Sequence, residues 1–574
     1  MATVAAPAPH TTAPPAPRQR GLSVDWYRTT ERRRTILLAV VSVLGALIMG
    51  QVLMRFGEAA IVIPVALLAL AGIVWQPRVG LYTIFALVLM FEINSPDVLM
   101  LPGRYLNYGL QSSLGVSGFI ASPLELLLIL TCAVWLVKGL VMHRLNYTGG
   151  DLGWPITLFF MALLGGLLRG AAGSGDMYVA FWEARSLLYV GVCYLLAVNL
   201  VRTRNDVATL VVVFLLANSL YALEGAYRYV FLIRTDLLGV TQEFEYGHEV
   251  VIFLAVLVLQ AILQLVVGGK LWMRLLGIVL GPIGLFTLLA TQRRAGYIAL
   301  ALAFLMMSIP WWIRHRKAIL LILVPSALAV SIYLPLFWNQ TGFLGQPARA
   351  VRSLYSPDAR DASSNEYRDL EEINVRETIR MDPLLGVGFG REFSFVVPLP
   401  DLSWWPFWKY QPHHNILWVW LKTGAPGFTI FWVMMLGSLG IAASRALTLK
   451  DRSLVTFAYL AIASLVTTLI FCYVDLGLTN GRVTVFLGTI LGVLAGLRRI
   501  DEGPGGEAKP APAAVTEPVT RPMSHPRPWS RTAPALSLKH TTPPSDPEAS
   551  PMDVDAPTRG RGAAATAIIE APRG

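Results

Sequence analysis

The sequence predicts an all-α polytopic membrane protein, and three observations carry that expectation. The chain is 55% hydrophobic and only 14% charged, with mean hydropathy +0.56, which excludes an ordinary soluble enzyme. Apolar stretches of roughly 17–25 residues, the length that crosses a hydrocarbon core of about 30 Å, recur along it. Basic residues return in every second turn between those stretches. Unpaired backbone groups are too costly in lipid for these segments to cross as anything but helices.

The spans are expected near 35–56, 59–75, 79–93, 122–142, 153–170, 184–200, 206–230, 248–267, 272–290, 295–313, 318–337, 413–440, 453–474 and 482–497, about fourteen in all. Residues 1–34 are Ala/Pro-rich and then basic at Arg32, Arg33 and Arg34. They read as a disordered cytoplasmic N-terminus, and the uncleaved first apolar run reads as a signal anchor. With the N-terminus inside, the cytoplasmic turns hold Arg78, His143 with Arg144, Arg202 with Arg204, Lys270 with Arg274, Arg314 with Arg316 and Lys317, Arg445 with Lys450 and Arg452, and Arg498 with Arg499. Each of these turns is positive. The net charge of +11 is accounted for there, and no nucleic-acid partner is expected.

The bundle is expected over 35–337. Residues 338–411 then form one large periplasmic loop with an amphipathic helix and a glycine-rich segment. The C-terminal transmembrane helices occupy 412–500. Residues 501–574, rich in Pro, Ala, Thr and Ser without apolar period, read as a disordered cytoplasmic tail. The Asp553-Val-Asp555 pair in that tail reads as coincidence. Cys132, Cys193 and Cys472 fall inside apolar runs without ligand spacing, so they read as small buried hydrophobes. No metal site and no cofactor are expected.

Chemistry is expected at one surface. Asp382-Pro-Leu-Leu-Gly-Val-Gly-Phe-Gly390 leads to Pro412-His413-His414 and then directly into an apolar helix. Gly386, Gly388 and Gly390 let the backbone turn tightly or approach a ligand closely, although a G-x-G-x-G outside a strand–turn–helix context carries no nucleotide fingerprint. Neutral imidazole near pH 7 can take a proton from a hydroxyl, which makes His413 and His414 the candidate bases. Arg185, Arg293, Arg294 and Arg482 are placed at the same outer face. Snorkelling to headgroups accounts for any one of them. Together they suit a pyrophosphate, whose oxygens match the planar guanidinium fork. Within Glu366–Arg380, Arg368, Glu372, Arg376 and Arg380 recur every four residues. For Arg376 and Arg380 an exposed, salt-bridged helix is the preferred account, and Asp382-Pro383 stops that helix. His248 is a weaker candidate. Glu125, three residues after Ser122, reads first as part of a helix cap.

These residues resemble the bacterial O-antigen ligase and O-antigen polymerase superfamily, polytopic glycosyltransferases of the GT-C type. The family pattern Pro-(Leu/Phe)-hydrophobic-Gly-x-Gly-x-Gly is matched by Pro383, Gly386, Gly388 and Gly390. Its Gly-x-x-Gly, about eleven residues after a histidine, is matched by Gly424 and Gly427. That spacing puts His413 at the family histidine, with His414 where Asn, Ser or Gln is usual, and the choice between the two stays open. Ala290-Thr-Gln-Arg-Arg294 is similar to the family's Thr-x-Ser-Arg segment, with Arg294 at the arginine and Arg293 in place of the serine. Arg185 and Arg368 sit where related proteins tend to carry arginines.

The resemblance implies glycosyl transfer from an undecaprenyl-pyrophosphate-linked glycan at the outer face of the bacterial inner membrane. Arginines would hold the pyrophosphate and a histidine would activate the acceptor, with no nucleotide sugar or metal needed. The acceptor would be lipid A–core, another lipid-linked glycan or a protein, with membrane lipids and a chain-length regulator as further candidate partners. The alternative is a flippase for polysaccharide precursors. Transporters place ionisable groups or broken helices at the midplane, whereas here polar groups gather at one surface. Ligase and polymerase are not separated by these residues.

Overall fold

A computed structural model describes residues 22–55, 70–91, 121–143, 147–233, 247–268, 271–340 and 342–503. All of them fall in the compact unit Met1–Ala508, and the unit Lys509–Gly574, which holds most of the expected tail and its Asp553-Val-Asp555, lies outside the described residues. Among the described residues the regular elements are all helices, with no strand, and 382–414 is turn and irregular chain.

In chain order the helices are α1 Leu22–Arg55, α2 Pro77–Met90, α3 Pro123–Val141, α4 Gly153–Ala172, α5 Met177–Leu200, α6 Arg204–Tyr227, α7 Val250–Leu263, α8 Leu271–Ala290, α9 Arg294–Phe337, the short α10 Gln346–Arg352, α11 Ala359–Met381, α12 Asn415–Thr448, α13 Arg452–Val474 and α14 Gly481–Glu502. Eleven segments among the described residues are long and apolar enough to span a membrane. His315, with non-helical φ −145°, divides α9 into two of them. The span expected at 59–75 lies mostly outside the described residues.

Local sequence sets the starts. Ser122 and Glu125 close a reciprocal capping box on α3, and Thr203 with Asp206 does the same on α6. Asp176, Asp358, Asp451 and Asn480 accept backbone N–H groups at the starts of α5, α11, α13 and α14. Two expected boundaries are corrected. Helix α1 begins at Leu22, so part of 1–34 is helical. Because Asp176 caps α5, that helix starts at Met177, and Arg185 lies two turns inside it rather than at its outer start.

Helix α14 packs along α5, α9 along α13, and α12 against both α4 and α13. The α5–α14 seam is close because Gly488 and Gly492 sit under Val190 and Tyr194, where a Cβ would come within 2.4 and 2.5 Å of backbone oxygens. One end of the bundle collects basic groups held by helix ends and turns. Arg78 pairs with Asp206, Arg204 with Asp451 and Asp501, Arg445 with Asp151, and Arg314 donates to the Ala446 and Leu449 carbonyls. The opposite end carries Arg293, Arg294, α10, α11, the start of α12 and the α13–α14 turn.

Candidate active site

The start of α12 is fixed by Asn415. Its buried side chain accepts the Leu478 N–H at 2.7 Å and donates to the Pro412 carbonyl at 3.1 Å. Pro412-His413-His414 is thereby held beside the α13–α14 turn. The two histidines then part in role. His414 is the N-cap, and its Nδ1 accepts the Leu417 N–H at 3.3 Å. Its ring meets Tyr473 edge-on at 4.5 Å. Burial pushes the His414 imidazole below the ordinary histidine value, which agrees with a neutral, lone-pair-bearing cap.

His413 faces α11. Its backbone N–H donates to Glu371 Oε2 at 2.8 Å, and its ring Nδ1 lies 3.1 Å from the same oxygen. Glu371 is 2% exposed and also accepts from the Tyr367 hydroxyl at 3.3 Å. An ionised carboxylate only accepts, so it fixes the proton on Nδ1 and leaves the Nε2 lone pair available. Burial pushes His413 down, but the Glu371 hydrogen bond and charge, with the charge of Asp475, outweigh it. The net direction is up from the ordinary value, with Arg368 opposing.

Both histidines line a cavity of about 680 Å³ enclosed by the N-terminus of α9, α10, α11 and the C-terminus of α13. Arg293, Arg294, Arg349 and Arg368 line it too. Arg294 donates to Asn365 at 2.9 Å and to Ser353 at 3.3 Å, with Asp361 at 3.6 Å. Arg349 pairs with Asp358 at 2.6 Å and Asp361 at 3.4 Å, and together these arginines hold α10 against α11. Arg368 has no hydrogen-bond or ion-pair partner among the described residues, so its guanidinium is open to a ligand. Asp475 closes the far wall. Burial would raise its carboxyl, but His248 at 2.6 Å and the charge of His413 hold it well below the usual carboxylate range. The weaker candidate His248 thus stands behind Asp475.

Arg185 and Arg482 are not brought to this cavity. Arg185 is buried, with Nε 2.6 Å and Nη2 2.8 Å from the Glu125 oxygens, and it lies over the Trp182 ring at 4.3 Å. Glu125 therefore both caps α3 and neutralises α5. Arg482 is fully buried. It pairs with Glu249 at 3.0 Å and donates to the Val88 and Leu89 carbonyls at the end of α2. Both guanidiniums are held by internal partners, although the buried Nη1 of Arg185 has none. The expected outer-face arginine set reduces to Arg293, Arg294 and Arg368, joined by Arg349.

The glycine-rich segment turns as expected, at φ +68° for Gly386, +87° for Gly388 and +75° for Gly390. Its close approach is to protein and not to a ligand in the cavity. A Cβ at Gly388 would meet the Gly170 nitrogen at 2.3 Å, and one at Gly390 the Asp176 oxygen at 2.2 Å. Behind it, the fully buried pair Glu183–Lys422 at 2.9 Å ties the segment down. Glu183 accepts the Gly390 N–H at 2.6 Å, and Lys422 donates to the Arg391 carbonyl at 2.6 Å.

Residues 279–432 match the family model described as O-antigen ligase. This segment is similar to the O-antigen ligase family. The match supports the O-antigen ligase/polymerase superfamily, and with it a multi-pass membrane enzyme of glycosyltransferase type. No curated protein matches the chain. The matched segment contains the cavity arginines, Glu371 and both histidines, and excludes Arg185, Asp475 and Arg482. Glu371, Arg349 and Asp475 escaped the sequence reading. Glu371 had a signal: it lies on the same α11 face as Tyr367 and Asn374, an acid on an otherwise packed stripe.

Proposed function

We propose that the protein transfers a glycosyl group from a lipid-pyrophosphate-linked glycan, of the undecaprenyl kind, to a glycan or lipid acceptor at the outer face of the inner membrane. The observation that carries this reading is a histidine oriented by a buried carboxylate at the wall of an arginine-lined cavity. His413 Nε2 takes the proton of the acceptor hydroxyl as that oxygen bonds to the anomeric carbon. The bond from that carbon to the pyrophosphate breaks, and the lipid pyrophosphate leaves with the electron pair. Arg368, with Arg293 and Arg294, meets the charge that develops on it. Glu371 stabilises the imidazolium formed in the step, as a carboxylate does behind a catalytic histidine. Arg349 positions Arg294 through the shared Asp361. His414 serves α12 as its cap.

The test uses purified protein reconstituted in liposomes, a lipid-pyrophosphate-linked glycan and its acceptor, with donor binding measured separately. His413→Ala should lower transfer by about 10²–10⁴-fold while donor binding persists. His414→Asn, which keeps a capping side chain, should remain active. Near-normal turnover by His413→Ala would exclude it as the base.

A further inference from the structure

The turn Asp382–Gly386 ends α11 and opens the glycine-rich segment, yet none of its residues lines the cavity. It lies against α12 well past the start of that helix. The Val387 N–H donates to the Leu421 carbonyl at 2.8 Å, the Ala425 N–H to the Pro383 carbonyl at 3.0 Å, and Trp420 Nε1 to the same carbonyl at 2.9 Å. At a rise of about 1.5 Å per residue, the contacts at Trp420 and Leu421 lie about 8–9 Å down the axis from Asn415, and Ala425 follows the break in α12 at Gly424 (φ +67°). On the other side, Arg169 in the last turn of α4 pairs with Asp382 at 2.6 Å. The turn therefore sits level with the outer end of a membrane-crossing helix.

Its backbone suits that depth. Gly386 N–H donates to the Asp382 carbonyl at 3.0 Å, and Leu385 N–H to the Asp382 side chain at 3.3 Å. Irregular backbone is tolerated at a membrane boundary when its polar groups are paired in this way. The side chains at the tip are Leu384 and Leu385, 69% and 60% exposed. Leu168, beside Arg169 on α4, is 63% exposed, and Leu164 and Met161 continue that exposed apolar strip down the span. The leucine pair and this exposed strip are thus joined through Arg169, which pairs with Asp382 and donates to the Gly386 carbonyl on either side of the two leucines.

We propose that Leu384 and Leu385 insert into the acyl boundary of the outer lipid leaflet, making this turn a membrane anchor that sets the depth of the cavity. The occupant is bilayer lipid. The connection to the site is covalent and short: α11, which ends at this turn, carries Arg368 and Glu371, and α12, which the turn grips, begins beside His413. The inference does not depend on the transfer chemistry.

Electron paramagnetic resonance of the full chain in phosphatidylethanolamine–phosphatidylglycerol liposomes tests it. The native cysteines are replaced by alanine, and a nitroxide is placed at Leu384→Cys, at Leu385→Cys, and at Glu366→Cys as a water-exposed reference. Collision with oxygen, which concentrates in lipid, is compared with collision with a water-soluble nickel chelate. Labels at 384 and 385 should favour oxygen over the chelate by several-fold relative to the label at 366. Chelate access equal to that at 366 overturns the proposal, because it places the leucines in water. Shielding from both reagents also overturns it, because protein would then cover the pair. Two adjacent positions keep the test decisive if one variant fails to fold.

Discussion

Glu371→Gln separates an oriented catalytic histidine from a packed structural one. The change keeps the shape of a side chain that is 2% exposed and removes its charge. In the native site one carboxylate accepts from the His413 backbone N–H, from the side of ring Nδ1 and from Tyr367. A carboxamide has a single acceptor oxygen, so its NH2 group must face one of these partners. At the Oε2 position the NH2 group confronts the His413 N–H and donates to Nδ1, which moves the proton to Nε2 and removes the base. At the Oε1 position it faces the Tyr367 hydroxyl, and the oxygen keeps both His413 donors without the charge that stabilises the imidazolium. Either arrangement loses a hydrogen bond to a charged group, about 1.5–3 kcal/mol. The rate loss is expected to approach that for removing a general base, about 10²–10⁴-fold.

The pH dependence carries a second signature. Glu371 raises the pKa of His413 against the opposing effect of burial. Transfer by the native protein, which needs the neutral ring, should therefore reach half its plateau above the ordinary histidine value of about 6.5. In Glu371→Gln the burial remains and the raising charge is gone, so the midpoint moves to lower pH while the plateau falls. The assay is transfer in liposomes from pH 5 to 9 with donor binding in parallel. An unchanged plateau and midpoint would refute the orienting role. The same pair gives a stability signature of matching sign. A histidine raised on folding stabilises fully below its unfolded value, near 6.5, and that contribution is lost as pH rises through the folded value.

Arg368→Ala should weaken donor binding, and Arg368→Lys should restore it only in part because the planar fork is lost; equal binding by all three proteins would remove it from the phosphate site. Arg185→Ala and Arg482→Ala should act on folding, with the donor affinity of the surviving folded fraction unchanged. The second leaves the buried Glu249 carboxylate uncompensated at about 3–5 kcal/mol, and the first costs less, because Glu125 is only partly buried and keeps its Ser122 and Tyr189 donors. Gly388→Ala should prevent stable insertion, since its Cβ would lie 2.3 Å from backbone at a positive φ; normal abundance and melting temperature would show that α4 can yield there.

The helices were legible because hydrophobic length is a direct consequence of bilayer thickness. That the histidines and the α9 arginines share one end of the bundle was legible because polar groups at a helix end stand out from apolar surroundings. Arg185 and Arg482 misled for a physical reason. Sequence shows that an arginine is near an outer boundary and cannot show whether a carboxylate on another helix has neutralised it. Glu125 and Glu249, far away in the chain, decide both cases. The glycines were read correctly for conformation and not for neighbour, because φ is local and the approach of α4 is tertiary. Glu371 was hidden among the charges of α11, several of which are exposed pairs such as Arg376–Glu372.

The Glu183–Lys422 pair allows one more test, because it is more than an ion pair. Replacing both members of a simple buried pair by apolar residues is often neutral or stabilising. Here Glu183 also accepts the Gly390 N–H and Trp418 Nε1–H, and Lys422 donates to the Arg391 carbonyl. An apolar replacement at both positions removes the charges and leaves these groups unpaired, at about 1–3 kcal/mol each. Glu183→Leu with Lys422→Met should therefore melt well below the native protein, unlike a pair held for charge alone. The loop released by the double change begins at the end of α11, so the variant should also lose transfer in proportion to its disorder around Gly390, read as protease sensitivity between α11 and α12. A double variant as stable as the native protein would show that the glycine-rich segment is held by its own turns and by α4, with the buried charges incidental to it.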